Sequence, residues 1–189
     1  SYLLRSEKEI SESIERVFVW NGSTKVFLAM AKYLEDKINL EADTKLGDVR
    51  VILVVEDSVK YYSRYLPLLY TKIMSQTQAI IAEESSNDEM DVILRMRVRP
   101  KLILVSNFDD AVGIINKYRN NIIGVISDVR YAHNGVKDED AGVSLIKYVQ
   151  QLDFIFRDRN GKVIDRAPNI EEFRQKLMTI PDEPLEYHA

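Results

Sequence analysis

An α/β fold built on a parallel sheet is predicted by three aliphatic runs and by the patterns that follow them. The runs span residues 49–55, 101–105 and 122–127. Their mainly aliphatic character, without alternation of polar residues, is typical of strands covered on both faces. A helical pattern follows each run after a short connection, and this alternating order indicates parallel strands with helices on both sides of the sheet.

The composition of the chain indicates a globular protein and excludes several kinds of site. The chain has 189 residues, a net charge of −4 and no cysteine, which fits one globular domain with or without an appendage. The charge argues against nucleic acid or an anionic membrane as a partner. Without cysteine there are no disulfides, catalytic thiolates or cysteine-zinc sites. No stretch reaches the roughly 18 apolar residues of a membrane span, so we expect a cytoplasmic protein.

The amino-terminal part predicts a strand-helix unit. Residues 16–20 have the pattern of a strand, and Ser23 in the following turn is a candidate helix cap. Residues at spacings of three and four predict a helix with an inward apolar stripe, which leaves Asp36 and its charged neighbours outside it. The stripe consists of Phe27, Met30, Ala31, Leu34 and Ile38. A polar connector over residues 41–48 is expected to lead into the first run.

A long helix is predicted from Ser58 to about Ala82. It places Tyr62, Leu66, Leu69 and Ile73 on one face. Pro67 falls inside it and predicts a kink or a break, because proline removes a helical hydrogen bond. The basic run at residues 95–101 is interpreted as a solvated face rather than a phosphate-binding patch.

The elements after residue 105 are also predicted from capping residues, helical spacing and turn signals. Ser106 or Asn107 caps a helix whose inward residues are Ala111, Ile114, Ile115 and Tyr118. A polar loop over residues 130–140 leads to a short helix holding Val143, Ile146 and Val149. Past Gln150 the pattern changes to two short strands around Asn160-Gly161, a hairpin signal. Pro168 then opens a helix with Ile170, Phe173 and Leu177 on one side.

Acidic residues follow two of the predicted strands. Glu56 and Asp57 end the first, and Asp128 ends the third. Because the carboxyl ends of parallel strands share one edge of a sheet, the three carboxylates are expected to meet there. Mg²⁺ prefers such oxygen ligands, and one carboxylate could then accept a phosphoryl group. Asp128 is the candidate acceptor of the phosphoryl group because it is the single acid after its strand, which leaves the pair Glu56 and Asp57 to hold the metal. The plainer interpretation is that acids end these strands and face water.

The segments Val51-Ile-Leu-Val-Val-Glu-Asp-Ser, Gly124-Val-Ile-Ser-Asp-Val-Arg and Asp140-Ala-Gly-Val-Ser-Leu-Ile resemble the receiver domain of response regulators. The resemblance covers about residues 49–150 and implies a flavodoxin-like doubly wound sheet. It implies that Glu56, Asp57 and Asp128 bind Mg²⁺, with the backbone carbonyl of Arg130 as a further ligand. It also implies that Asp128 accepts a phosphoryl group from a histidine kinase or another donor, as in two-component phosphorelay signalling.

The chain departs from that pattern near Gln150. A receiver continues with a strand ending in serine or threonine and another ending in lysine, and neither is evident. We therefore divide the chain into residues 1–46, 47–151 and 152–189, with the receiver-like part incomplete or augmented by the amino-terminal unit. The alternative function is a degenerate pseudo-receiver that only binds a protein partner. A dehalogenase-type phosphatase is disfavoured because Arg130 occupies the place of its second acid, and no glycine-rich nucleotide loop is present.

A narrower resemblance rests on Arg16-Val-Phe-Val-Trp-Asn-Gly, Leu94-Arg-Met-Arg-Val-Arg-Pro-Lys and Ile180-Pro-Asp-Glu-Pro-Leu-Glu-Tyr-His. These segments are similar to the amino-terminal regulatory region of large bacterial proteins of the phosphoenolpyruvate synthase and pyruvate phosphate dikinase type. The resemblance implies a parent that binds ATP and phosphoenolpyruvate, while this chain by itself is not expected to be an enzyme. It also implies that residues 16–38 end a preceding receiver-like unit. We expect them to pack at the sheet edge that the absent receiver half would occupy, and a homodimer remains open.

Overall fold

The computed structural model describes residues 14–83 and 99–152, together with the short strands at 156–157 and 163–164. It is an α/β structure with a three-stranded parallel sheet and four helices. The helices are α1 (Lys25–Gly47), α2 (Val59–Glu83), α3 (Phe108–Lys117) and α4 (Ala141–Gln150). The strands are β1 (Val51–Val55), β2 (Lys101–Val105), β3 (Ile122–Ser127), β4 (Tyr131–His133), β5 (Val136–Asp138), β6 (Phe156–Arg157) and β7 (Val163–Ile164). The three predicted strands of the sheet are confirmed.

The sheet has the order β2-β1-β3, with β1 in the centre and both neighbours parallel to it. Four of the five β1 residues are buried, as expected of a central strand. This order is compatible with the first three strands of a flavodoxin-like sheet, whose further strands would follow β3.

Helix α1 contradicts two expectations. It is seven residues longer than predicted, since the expected connector is helical from Glu41 to Gly47. Its buried side is also a different one, because the predicted inward stripe is exposed, with Phe27 at 59% and Ile38 at 76%. The buried residues of α1 are Val26, Ala29, Tyr33, Asp36, Leu40 and Thr44.

The reason for that orientation is a polar cluster centred on Asp36, which is completely buried. Its carboxylate accepts the backbone N–H of Leu102 on β2 at 2.9 Å and the hydroxyl of Tyr70 on α2 at 3.2 Å. The guanidinium of Arg99 donates to both Asp36 oxygens, at 2.5 and 3.1 Å. Lys101 lies 3.5 Å from Asp36 and 2.5 Å from Asp43. The interpretation of Arg99 and Lys101 as part of a solvated face is therefore wrong.

The Asp36 cluster binds the outward backbone groups of Leu102 on the outer edge of β2. The outward N–H of Leu102 is bound by Asp36, and its carbonyl accepts a hydrogen bond from Tyr70 at 3.4 Å. Helix α1 thus packs at the β2 edge, whereas the further strands of a receiver would follow β3. The expected packing of residues 16–38 at the edge of the absent half is wrong.

Residues 16–20 are not a strand but an irregular segment attached to α2. The N–H of Val19 donates to the hydroxyl of Ser63 at 2.9 Å, and the hydroxyl of Tyr62 donates to the carbonyl of Val17 at 2.5 Å. Phe18 packs edge-on against the ring of Tyr62, with centroids 5.6 Å apart. Side chains of α2 therefore supply the hydrogen bonds that a neighbouring strand would have given this segment.

Helix α2 buries Tyr62, Leu66 and Tyr70 in the main hydrophobic core, close to the predicted face. Pro67 does not break the helix, which is continuous from Val59 to Glu83. The hydroxyl of Thr71 donates to the carbonyl of Pro67 at 2.6 Å. Packing of α2 against the hydrophobic core therefore outweighs the free energy that the proline costs inside the helix.

Helices α3 and α4 follow the sheet strands as predicted. Asn107 caps α3 by accepting the N–H of Asp110 at 2.8 Å, which confirms one of the two proposed caps. Helix α4 differs from expectation, because Val143 and Ile146 are 40% and 55% exposed. Its buried residues are Ala141, Gly142 and Leu145.

Residues up to Val149 form one compact unit, and a second unit begins at Gln150. In the second unit β6 and β7 pair antiparallel, with Phe156 opposite Ile164, which confirms the predicted hairpin strands. The helix predicted from Pro168 lies outside the described residues. In the part of the chain that is described, no helix combines the length and apolar composition needed to cross a bilayer.

Candidate metal centre

The three predicted carboxylates lie at the carboxyl edge of the sheet. The N–H of Glu56 donates to Val105 of β2 at 3.0 Å, and the N–H of Asp128 donates to Val55 of β1 at 2.9 Å. The sheet ladder therefore continues one residue beyond β1 and β3. This fixes the backbone of both acidic residues against neighbouring strands, as the parallel arrangement predicts.

The carboxylates of Glu56, Asp57 and Asp128 each offer an oxygen, and these oxygens all lie within 4.8 Å of one another. Glu56 is buried, with 5% of its surface exposed, whereas Asp57 and Asp128 are exposed. One oxygen of Glu56 accepts the backbone N–H of Ser58 at 2.9 Å, which orients its side chain. Together the three residues could hold a metal ion.

The electrostatics of the cluster favour a cation. Burial raises the pKa of Glu56, and the nearby charges of Asp128 and Asp57 raise this pKa further, against the hydrogen bond from Ser58. Among the described residues, none of the ion pairs includes Glu56, Asp57 or Asp128. Three hard oxygen donors without a cationic side chain are a ligand set that could hold a metal ion.

Glutamine at position 56 tests this account. Because the folded-state pKa of Glu56 lies above its ordinary value of 4.5, ionisation of Glu56 removes stability as the pH rises through that folded-state pKa. Without divalent cations, the Glu56→Gln variant is therefore expected to be more stable than the parent protein at mildly alkaline pH. This advantage should vanish well below pH 4.5, and urea denaturation across pH measures both. Mg²⁺ should stabilise the parent protein but not the variant, and identical pH dependence of the two would contradict the account.

Helix α4 touches the backbone at Asp128 directly. The N–H of Gly142 donates to the carbonyl of Val129 at 2.9 Å. A Cβ atom placed on Gly142 would come within 2.2 Å of the carbonyl oxygen of Asp128 and 2.9 Å of the Cα of Val129. Glycine is therefore required here for close packing, and the position of Asp128 depends on the start of α4. This contact was not predicted, although Gly142 lies in the quoted segment that begins at Asp140.

A pair of hydroxyl groups lies on the other side of Asp128. The Ser127 hydroxyl donates to the carbonyl of Asp128 at 2.7 Å and lies 3.0 Å from the hydroxyl of Tyr131, which is completely buried. Burial raises the pKa of Tyr131, and the charge of Asp128 contributes to that rise. The buried ring of Tyr131 thus anchors the segment that follows the candidate acceptor.

The loop predicted after Asp128 contains the hairpin β4-β5. Its turn residues Asn134 and Gly135 have φ values of 52° and 76°, the conformation that an Asn-Gly pair adopts in tight hairpins. This dipeptide was the signal that could have revealed the hairpin. His133 lies 3.2 Å from Asp138 across it and packs on Phe108 of α3.

Arg130 begins this loop, and its side chain lies 3.4 Å from Glu139. A role of its backbone carbonyl as a metal ligand stays a prediction. Compared with known proteins, the chain matches no protein-family model, no curated protein and no solved structure.

Proposed function

We propose that this chain is a receiver-type phosphoacceptor module with a flavodoxin-like fold. In this proposal Asp128 accepts a phosphoryl group, and Glu56, Asp57 and Asp128 hold Mg²⁺. The observation that carries the proposal is the convergence of three carboxylates, from the ends of two parallel strands, within 4.8 Å of one another. The sheet order supports it, since β1 and β3 are the strands whose ends deliver these acids.

The chemistry is a displacement at phosphorus. A carboxylate oxygen of Asp128 forms a bond to the phosphorus of a phosphohistidine or an acyl phosphate. The bond from phosphorus to the donor's nitrogen or oxygen breaks, and the leaving atom keeps the electron pair. The product is an aspartyl phosphate. Asp128 suits this role because its side chain is exposed while its backbone N–H is bound to Val55 and the carbonyl of the next residue, Val129, is bound by the N–H of Gly142.

Bound Mg²⁺ would offset the negative charge of the incoming phosphoryl group. The chain's own residues supply the rest. Ser58 orients Glu56 through its backbone N–H, and the start of α4 fixes the carbonyl of Asp128.

The test is phosphoryl transfer from acetyl phosphate in the presence of Mg²⁺, followed by intact-mass measurement. The parent protein is expected to gain the mass of one phosphoryl group, and hydroxylamine should remove it because it cleaves acyl phosphates. The Asp128→Asn variant should gain nothing, since an amide is a poor nucleophile. Glu139→Gln provides the matched control, because Glu139 is exposed, belongs to the same loop and pairs only with Arg130 among the described residues.

Labelling that persists in Asp128→Asn would overturn the assignment of the acceptor. Absence of labelling in the parent protein, with folding confirmed by circular dichroism, would overturn phosphoryl transfer altogether. Labelling that is lost in Asp128→Asn, kept in Glu139→Gln and dependent on Mg²⁺ supports the proposal.

The second candidate is a pseudo-receiver that binds a protein partner and is not phosphorylated. It is favoured by the absence, among the described residues, of a cationic side chain paired with the acidic cluster. It predicts no response to acetyl phosphate or beryllofluoride. In both cases we propose that the chain is the regulatory part of a larger protein of the phosphoenolpyruvate synthase type. The phosphoryl donor for the first candidate would be a histidine kinase.

A further inference from the structure

The outer edge of β3 is open. Among the described residues, β3 pairs only with β1. The N–H of Asp128 points to β1, where it donates to Val55. Because N–H groups alternate along a strand, those of Val125 and Ser127 point away from β1, toward the open edge. A row of unpaired backbone groups of this kind accepts another strand.

The residues of β3 are those of a central strand rather than an edge strand. Its sequence is aliphatic without alternation, yet Ile123 and Ile126 are 49% and 45% exposed. Nothing lies within 4 Å of the Cβ position of Gly124 between them. No proline or charged side chain protects β3 within its length, although natural edge strands are usually protected in one of these ways. The opposite edge, β2, is sealed by Asp36 and Tyr70.

Charge is unequal at the two ends of β3. The carboxyl end carries the acidic cluster of Glu56, Asp57 and Asp128. The amino end lies beside the cation Arg50, whose side chain is 3.6 Å from Asp48. Arg50 also donates to the carbonyl of Asn120 at 3.0 Å, which holds it at this end.

We propose that β3 pairs with β3 of a second copy of this chain in antiparallel orientation. The pairing gives one continuous six-stranded sheet across a two-fold axis. An isologous contact of this kind needs only one self-complementary surface. Antiparallel pairing places the acidic end of each β3 against the cationic end of the other, whereas parallel pairing would place like charges together. The second copy's Arg50 thereby approaches the acidic cluster, which has no cationic partner among the described residues of its own chain.

The apolar surface beside this edge fits the same contact. Helix α4 begins against the carboxyl end of β3, and its Val143 and Ile146 are exposed. A two-fold axis normal to the sheet puts the two α4 helices on the same face. Their aliphatic side chains would add burial to the strand pairing.

The test compares two substitutions of the same kind. Ile123→Lys places a charge on the β3 edge, while Ile38→Lys places the same charge on the exposed stripe of α1. The full chain is expected to sediment as a dimer at high protein concentration. Ile123→Lys should be monomeric, and Ile38→Lys should remain dimeric. Amide exchange at Val125 and Ser127 is expected to slow by about tenfold or more when the protein dimerises.

The outcomes separate cleanly when circular dichroism shows that both variants are folded. A parent protein that stays monomeric from micromolar to millimolar concentration overturns the proposal. So does a dimer that Ile38→Lys dissociates and Ile123→Lys does not, because the contact would then be the α1 stripe. A dimer without slower exchange at Val125 and Ser127 excludes strand pairing. None of these measurements depends on phosphorylation, so failure here leaves the proposed function standing.

Discussion

Replacing Asp36 by alanine is expected to lower the free energy of unfolding by about 3–5 kcal/mol, the usual cost of breaking a buried ion pair. Asp36 is completely buried and is the shared partner of Arg99, Lys101, Tyr70 and the Leu102 N–H. The variant would remove the buried carboxylate from Arg99 and Lys101, which keep only Glu35 and Asp43 as partners, and would leave the outward N–H of Leu102 without its acceptor. Urea denaturation followed by circular dichroism measures the loss.

Glu35→Ala is the matched control. Glu35 also contacts Arg99, at 3.1 Å, but its side chain is 42% exposed while that of Asp36 is 0% exposed. Solvent screens an exposed pair, so the expected loss is below about 1 kcal/mol. If the two variants lose the same free energy, the buried cluster is not what seals the β2 edge.

A second large effect is expected for Gly142→Ala. The added methyl group would meet backbone atoms of Asp128 and Val129 at 2.2 and 2.9 Å, and backbone cannot rotate away as a side chain can. Overpacking of this kind typically costs about 1–3 kcal/mol. Because the displaced atoms belong to Asp128, the variant should also bind Mg²⁺ more weakly. Denaturation and a Mg²⁺ titration together check the two effects.

Gly113→Ala supplies the contrasting control on α3. Nothing lies within 4 Å of its Cβ position, and alanine is favoured over glycine inside a helix by about 0.5–1 kcal/mol. This variant should therefore gain stability and keep its affinity for Mg²⁺. A loss of Mg²⁺ affinity in both glycine variants would show that the effect does not pass through Asp128.

The sheet and the acidic cluster could be predicted because both depend on local pattern and one topological rule. Mainly aliphatic runs marked β1, β2 and β3. Once these strands are parallel, residues that follow them must share an edge, which is why Glu56, Asp57 and Asp128 were placed together.

The orientation of α1 could not be predicted in this way. Hydrophobic periodicity assumes that the buried face of a helix is its most apolar face. Here the face is selected by polar needs of β2, which requires an acceptor for the Leu102 N–H and receives it from Asp36. The side chains of Arg99 and Lys101 are then buried beside that carboxylate. The basic run at residues 95–101 had been predicted to face solvent. Within residues 25–47 the buried stripe of Val26, Ala29, Tyr33 and Leu40 has the same spacing as the predicted stripe, but the charged Asp36 interrupts it, so hydrophobic periodicity favours the other face.

Sealing only one side of the sheet limits how far edge-to-edge growth can go. A sheet with two open edges can add molecules at either side and polymerise into a fibril. In this chain Asp36 and Tyr70 bind the outward N–H and carbonyl of Leu102 on β2, so among the described residues β3 offers the open edge of the three-stranded sheet, and joining through β3 uses that edge in both molecules. Association by this route therefore stops at a stoichiometry of two, and raising the protein concentration should saturate the assembly rather than precipitate it.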